Sequence, residues 1–433
     1  MANEIPPFLT LPVELTYRIL DYLDDFSTVY SIRDVCTRLN MIIDAYGRHQ
    51  TIITLRCHGD KVGDKAARNL TNILQNNTTL TVLNLYGNQI GQEGAKHLTH
   101  ALQNNTVLTT LDLSQNNIYE IGNQSLAHTL WMNRPLTTLN LCANQKRYEG
   151  SRNLSNALRN NMTLTALDLS RNNICEKEAQ HLADALQKNS TLTTLNLCGN
   201  QIGDEGVQHL SDALQNNTVC SIVYSSRSYT HLHFYIQALT TVDLSGNTIH
   251  ERGAQYLADA LRHNMTLTTL ELKSNCIRYE GAQHLADALR NNTTLTTLNL
   301  CDNKIRDERV QHLADVFRNN RTLPILTLCG NPIGDGKARF LSDIFRNNKT
   351  LKTLTLDSNP IRDERVQHLA VVFRNNRMPI VAEIVPLPRR HAFRNLMPRR
   401  IENKLRRASA APPLTKRTLP LPRRRRDLKN SMI

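Results

Sequence analysis

Residues 281–305 read GAQHLADALRNNTTLTTLNLCDNKI and contain two different apolar patterns. In its second half, alternation places Leu298 and Leu300 on one face of a short strand. In its first half, Ala282, Leu285 and Leu289 lie at i, i+3 and i+7, the spacing of one apolar helix face. The stretch therefore predicts a helix followed by a short strand, each with one apolar face to bury.

The same phrase recurs along the chain with a period of 28 residues, interrupted once. Its strand half opens at ten leucines: Leu80, Leu108, Leu136, Leu164, Leu192, Leu239, Leu267, Leu295, Leu323 and Leu351. A degenerate copy begins at Ile52. One helix and one strand cannot bury their apolar faces alone, whereas stacked copies can. We therefore expect about eleven repeats over residues 51–378, forming an α/β solenoid with a parallel sheet inside and helices outside.

Two asparagines recur in each repeat. The first ends the strand phrase: Asn88, Asn116, Asn144, Asn172, Asn200, Asn247, Asn275, Asn303, Asn331 and Asn359. The chain turns inward there, and an Asn side chain offers both a donor and an acceptor to buried backbone groups. We predict that these residues form a structural Asn ladder. The second follows each helix in an Asn-Asn-Thr triplet and predicts a left-handed C-cap, a conformation that Asn tolerates.

The spacing and both half-phrases resemble the leucine-rich repeats of the ribonuclease-inhibitor subfamily. The strand pairs Asn140/Cys142 and Asp168/Ser170 alternate between copies, which is also similar to that subfamily. The resemblance implies a right-handed horseshoe with strands on the concave face, where partners usually bind. Departures from the Thr, Asn and Asp consensus of that face are our target-binding candidates, since Tyr and Arg are favoured at hot spots. They are Arg56, His58, Tyr86, Arg171, Glu271 and Lys273.

Residues 1–50 lack the repeat and carry two helical stripes instead. LPVELTYRILDYLD followed by SIRDVCTRLNMIID resembles the F-box over roughly residues 8–48. In that family the helices bind the adaptor subunit of a cullin-RING ubiquitin ligase of the SCF type. The resemblance assigns adaptor binding to Leu11, Pro12, Leu15, Ile19, Leu20 and Leu23. The alternative is a helical cap that shields the first strand from edge pairing.

An irregular insertion, VCSIVYSSRSYTHLHFYIQ, occupies residues 219–237 and stretches one repeat from 28 to 47 residues. One interpretation is a binding loop, since long loops are often functional. We favour a retained intron, because the corresponding 57 nucleotides begin with the GT of a Val codon and fit a Gln codon that ends in AG. Transcript sequencing across the junction tests this hypothesis, and transcripts that all keep the segment would contradict it.

The charge of the chain is concentrated in its last residues. The formal net charge is +14, and residues 379–433 hold 15 Lys or Arg, 3 Asp or Glu and 8 of the 15 prolines. This composition predicts a disordered basic tail and excludes a nucleic-acid-binding function for the repeats as a whole. A nuclear-localisation or RNA-binding signal is one interpretation of Lys416, Arg417, Arg423, Arg424, Arg425 and Arg426. A solvated tail, or the frameshifted end of a gene model, is the other.

The remaining polar residues predict no catalytic or metal chemistry. The chain has nine cysteines, and its first residues contain no export signal, which favours free thiols in a reducing compartment. Oxidative sensitivity is the property expected of Cys142, Cys198, Cys301 and Cys329 on the strands. A histidine recurs in one helix slot per repeat, a single file that does not converge as zinc ligands must. We expect no cofactor, no membrane span and a cytoplasmic or nuclear location.

These observations lead to one hypothesis and two alternatives. The chain is expected to be a substrate-recognition subunit of an SCF-type ligase, not an enzyme, whose partners are the adaptor, the cullin complex and an unidentified target protein. The first alternative is a non-ligase scaffold or a sensor, because the repeats also resemble those of cytosolic innate-immune receptors. The second is a regulator of Ran GTPase, whose activating proteins share this repeat type but typically carry an acidic tail.

Overall fold

A computed structural model of the chain describes residues 54–56, 63–118, 120–132, 135–144, 148–216, 220–223, 232–235, 239–306, 316–335 and 348–361. The predicted F-box-like segment and basic tail lie outside these residues, with all of their candidate side chains. His58 also lies outside them. Adaptor binding and nuclear localisation therefore remain predictions from sequence.

Helices and strands alternate through the described chain. The helices are α1 (Gly63–Asn76), α2 (Gln92–Asn104), α3 (Glu120–Met132), α4 (Tyr148–Asn160), α5 (Glu176–Leu186), α6 (Gly203–Asn216), α7 (Glu251–His263) and α8 (Arg278–Ala288). The strands are β1 (Thr54–Arg56), β2 (Val82–Asn84), β3 (Thr110–Asp112), β4 (Thr138–Asn140), β5 (Ala166–Asp168), β6 (Thr194–Asn196), β7 (Cys220–Val223), β8 (Leu232–Tyr235), β9 (Thr241–Asp243), β10 (Thr269–Glu271), β11 (Thr297–Asn299), β12 (Ile325–Thr327) and β13 (Thr353–Thr355).

Eleven of the strands form one parallel sheet, in chain order. Equivalent residues of neighbouring repeats pair directly, as Leu298 does with Leu270. The degenerate first copy obeys the same register, because Leu55 pairs with Leu83. The sheet and its connecting helices confirm the predicted α/β solenoid.

The insertion leaves the sheet undisturbed. β6 pairs directly with β9, so that Leu195 lies opposite Val242 although 47 residues separate them. Within the insertion, β7 and β8 form a separate antiparallel pair. The two described strands of the insertion therefore add no strand to the parallel sheet.

The core is a column of leucine side chains between the sheet and the helices. Leu298 and Leu300 are at most 1 % exposed, and so are the helix residues Ala282, Leu285 and Leu289. Burying each leucine contributes about 1.5–3 kcal/mol, so the repeated pattern alone supplies a large stabilising term. The two predicted apolar faces are confirmed, and they face each other.

The predicted left-handed cap after each helix is wrong. Asn105 and Asn264 both have extended backbone, with φ of −78° and −74°. The Asn264 side-chain amide donates to the carbonyl of Leu214, at the end of the preceding helix, over 2.8 Å. Its Oδ1 accepts from the amides of Thr266 and Leu267 at 3.0 and 2.7 Å. These three bonds require an extended residue, and they override the local preference of Asn.

Left-handed residues occur instead in the turn after each strand, one position before the ladder asparagine. All ten repeats from β2 to β13 share this conformation, with φ between 52° and 69°. Glycine occupies four of the positions: Gly87, Gly199, Gly246 and Gly330. The other six hold side chains, among them Ala143 and Arg171, in a conformation that costs an L-residue about 1–2 kcal/mol.

Candidate binding surface

The strand-end asparagines lie in the turns after the strands, on the buried side of the sheet. Each is at most 5 % exposed. Asn116 is representative: its amide donates to the carbonyl of Leu85 over 2.8 Å, and its Oδ1 accepts from the backbone amides of Asn88 and Ile90 at 3.0 and 2.9 Å. Asn116 also donates to the carbonyl of Leu113 over 3.0 Å, and therefore joins its own turn to the turn of the preceding repeat.

The opposite side of the strands is solvent-accessible and forms the candidate surface. We define the strand face as the side chains of the first and third residues of each strand and of the second residue after it. In β4 these are Thr138, Asn140 and Cys142, all half-buried, while Leu139 between them is buried. Because the strands are in register, equivalent positions form straight rows across the sheet.

A threonine row borders the strand face and was missed by the sequence interpretation. The hydroxyl of Thr137 donates to the carbonyl of Thr109 over 3.2 Å, and that of Thr165 donates to the carbonyl of Thr137 over 3.1 Å. The same bond recurs with the hydroxyls of Thr109, Thr193, Thr240, Thr268 and Thr296 as donors. The recurrence of Thr directly before eight successive strands of the sheet, from Thr81 to Thr296, was the available signal.

The alternation of Asn and Asp on the strand face is explained by lateral hydrogen bonds. The carboxylate of Asp168 accepts from the backbone amide and the hydroxyl of Ser170, at 2.8 and 2.6 Å. Its other oxygen accepts from the side-chain amide of Asn196 in the next repeat over 3.0 Å. Asn84 donates in the same way to Asp112 over 3.2 Å. These carboxylates already have partners, so the alternating row is structural in the first instance.

The cysteines of the strand face contradict the expectation of free thiols at one place. Cys301 and Cys329, on adjacent repeats, form a disulfide with a Cα–Cα distance of 4.5 Å. Register alignment puts the two sulfurs side by side, and the sequence interpretation did not predict the bond. Cys142 and Cys198 are free. Burial raises the pKa of the Cys198 thiol, and the negative charge of the nearby Asp243 carboxylate raises it further. Both effects disfavour the reactive thiolate.

The target-binding candidates lie at separate places on the strand face. Tyr86 follows β2 and is 37 % exposed. Arg171 follows β5, exposed and left-handed, while Glu271 and Lys273 lie in and after β10. Three strand spacings separate each of these places from the next, which is about 14 Å. Arg56 ends β1, one strand before Tyr86. A partner must therefore extend along the sheet to contact them together.

Local packing positions two of these side chains. A Cβ atom at residue 199 would lie 3.1 Å from the Cγ of Arg171, so Gly199 in the next repeat leaves room for the arginine stem. The Lys273 ammonium lies 3.9 Å from the Asp302 carboxylate, and both side chains are about half exposed. Such an exposed pair contributes less than about 1 kcal/mol, which leaves Lys273 available to a partner.

Within the described residues, no group of three or more His, Cys, Asp or Glu could hold a metal ion. None of the described helices is long and apolar enough to cross a membrane. The recurrent histidines that the structure describes, His97, His181, His209 and His284, are half-buried on separate helices. The strand face presents separate polar and aromatic side chains along one continuous sheet, an arrangement suited to contact with a partner.

A family model of leucine-rich repeats matches seven segments of the chain. They are residues 76–98, 104–126, 160–174, 188–211, 236–258, 263–286 and 291–311. These are leucine-rich repeats. The repeat region is accordingly a leucine-rich-repeat interaction module, and the matched segments do not extend into residues 1–50.

Two solved structures are also similar to this chain. An internalin (inlF) from Listeria monocytogenes is 22 % identical, with 83 % of this chain and 92 % of that chain covered and a TM-score of 0.46. Actin-binding site 2 of leiomodin-1 is 16 % identical, with 54 % of this chain and 96 % of that chain covered and a TM-score of 0.27. No curated protein matches the sequence.

Proposed function

We propose that this leucine-rich-repeat protein is a substrate-recognition subunit of an SCF-type ubiquitin ligase. Residues 8–48 would bind the ligase adaptor, and the strand face would hold the target. The proposal for the first half rests on the F-box-like sequence alone. The proposal for the second half rests on one structural observation, the straight rows of accessible side chains across eleven in-register strands.

The strand face suits a protein target because its consensus residues are already satisfied by each other. The Asn–Asp and Thr hydrogen bonds stabilise the surface without a bound protein. The side chains that depart from the consensus are therefore expected to supply the binding energy. Tyr86, Arg171 and Lys273 are exposed departures. Aromatic and arginine side chains at such places carry most of the energy in protein interfaces.

The function would require no reacting group in this chain. A recognition subunit holds the target close to chemistry that other subunits supply, and catalysis then follows from proximity. This agrees with several groups of the strand face. The Asp168 carboxylate is hydrogen-bonded, Cys301 and Cys329 form a disulfide, and burial disfavours the thiolate of Cys198.

Adaptor binding by the full chain tests the first half. Leu15 lies on the predicted apolar stripe and Tyr17 on the opposite side of the same predicted helix. In a pull-down with purified adaptor, Leu15→Asp should abolish binding, since a buried unpaired carboxylate is costly, whereas Tyr17→Asp should leave it unchanged. A wild-type chain that does not bind the adaptor contradicts the ligase role and favours the non-ligase scaffold.

Target selection tests the second half. Proteins whose ubiquitination depends on this chain in cells should lose that modification with Leu15→Asp and also with Tyr86→Ala combined with Arg171→Ala. The double alanine variant should still bind the adaptor. Unchanged ubiquitination with the strand-face variant would place the target elsewhere on the repeats.

A further inference from the structure

A polar groove lies between α2 and α3, on the helical side of the repeats. Its cavity volume is about 410 Å³. Lys96, His100 and Gln103 line it from α2, and Gln124, Ser125 and His128 line it from α3. Every one of these side chains carries a hydrogen-bond donor, or gains one when a histidine binds a proton.

The two histidines are departures from the repeat's own pattern. They occupy one helix slot, 28 residues apart, and that slot holds aspartate in four later helices: Asp184 in α5, Asp212 in α6, Asp259 in α7 and Asp287 in α8. The slot therefore accepts an acidic side chain in this fold. Only in α2 and α3, among the described helices, does it hold histidine, and these two helices are neighbours.

The charges around the groove favour an anion. No carboxylate lines it among the described residues. The nearest paired acid is Glu93, whose carboxylate lies 2.6 Å from the Lys96 ammonium on the same helix and is 61 % exposed. Such an exposed pair is weak and leaves further N–H donors of Lys96 for a ligand. Thr99, the remaining lining residue, already donates its hydroxyl to the Lys96 carbonyl over 2.8 Å.

We infer that the groove between α2 and α3 binds a phosphate group. Because donors line the groove from both α2 and α3, one tetrahedral oxyanion can accept hydrogen bonds of about 2.8 Å from both walls. A phosphate offers three or four oxygens to donors on both sides, whereas a carboxylate offers two. The site is independent of the ligase proposal, because it lies on helices and not on the strand face.

The test is a titration of the full-length protein with inorganic phosphate, followed by NMR of the histidine side chains. Single variants assign the resonances of His100 and His128. We expect saturable shifts of both, with an affinity reduced about tenfold or more in His100→Asp combined with His128→Asp, the residues that later repeats carry. Gln180→Asp combined with Gln255→Asp changes the formal charge equally on exposed positions of α5 and α7 and should bind normally.

Shifts that do not saturate, or that persist in the double His→Asp variant, would overturn the proposal. An equal loss in the double Gln→Asp control would do the same, since it would show only a response to net charge. If the double His→Asp variant fails to fold by circular dichroism, His100→Gln with His128→Gln replaces it. Phosphoserine peptide that binds more tightly than inorganic phosphate would assign the groove to a phosphorylated protein, and equal affinity would assign it to the free ion.

Discussion

The turn after each strand and the turn after each helix both contain a buried asparagine, and the two turns compare instructively. Asn116 and Asn264 each donate to a carbonyl of the preceding repeat and each accept from two backbone amides. The amides bonded to Asn116 belong to the preceding repeat, whereas those bonded to Asn264 belong to its own. The Oδ1 atom of the strand-end residue thus links two repeats, whereas the Oδ1 atom of the helix-end residue forms a local turn. The side-chain amide of Asn116 also donates within its own turn, to the carbonyl of Leu113 over 3.0 Å.

The largest effect is expected at Asn116, where three buried side-chain bonds cross between repeats. Asn116→Ala leaves one carbonyl and two amides buried and unpaired, which should lower the free energy of unfolding by about 4 kcal/mol. Urea denaturation followed by circular dichroism measures it. Asn117→Ala, at the exposed neighbour, should change stability by less than about 0.5 kcal/mol. Similar losses from both would contradict the ladder.

A glycine substitution sharpens the difference at the helix end. Asn264→Gly should lower the free energy of unfolding by about 2 kcal/mol, as much as Asn264→Ala, because both remove the same buried side-chain bonds. In a left-handed cap, glycine would be clearly better tolerated than alanine. The same urea experiment distinguishes these outcomes. A glycine variant as stable as the wild-type protein would support a left-handed cap and contradict the extended one.

The start of the helix offers a third contact between repeats, with a smaller effect. Oδ1 of Asp204, in the first turn of α6, accepts from the amides of His250 and Gly253 at the start of α7, at 2.8 and 3.1 Å. Asp204→Ala should cost about 1 kcal/mol, the usual value of an N-cap. Glu205→Ala, at its exposed neighbour, is the control. Equal melting temperatures for the two variants would show that the Asp204 carboxylate does not stabilise the start of α7.

The smallest expected change is a gain. Ala143 is left-handed, with φ of 54°, where four other repeats hold glycine. Ala143→Gly should raise the free energy of unfolding by somewhat less than about 1 kcal/mol, because glycine adopts this conformation without strain but has more freedom when unfolded. Thermal denaturation checks the sign, and a lower melting temperature would mean that the methyl group has a packing role.

The sequence predicted the features that follow from the 28-residue period. It missed the features that depend on a hydrogen-bond or disulfide partner in the neighbouring repeat. The spacing of Leu298 and Leu300 was sufficient to predict the strand, its buried face and its stacking. The extended conformation of Asn264 depends on a carbonyl of another helix, and local preference pointed to a different backbone. The disulfide of Cys301 and Cys329 required the register of the sheet.

The candidate site was less predictable than the fold. Tyr86 and Arg171 stand out in sequence because their repeats depart from consensus, but their separation along the sheet follows only from strand order. The groove at His100 and His128 was missed, since the sequence interpretation followed the histidine that recurs in another slot of several helices and not the two that replace aspartate.

Side-chain hydrogen bonds between each repeat and the preceding one, such as those of Asn116, also determine how the molecule responds to a pulling force. A terminal repeat pulled from the stack loses its links to a single neighbour, while the rest keep theirs. Stretched from its ends in an optical trap, the chain should lengthen in steps of 28 residues, roughly 9 nm of contour each. The repeat that carries the 19-residue insertion should give one longer step and thereby report its own position.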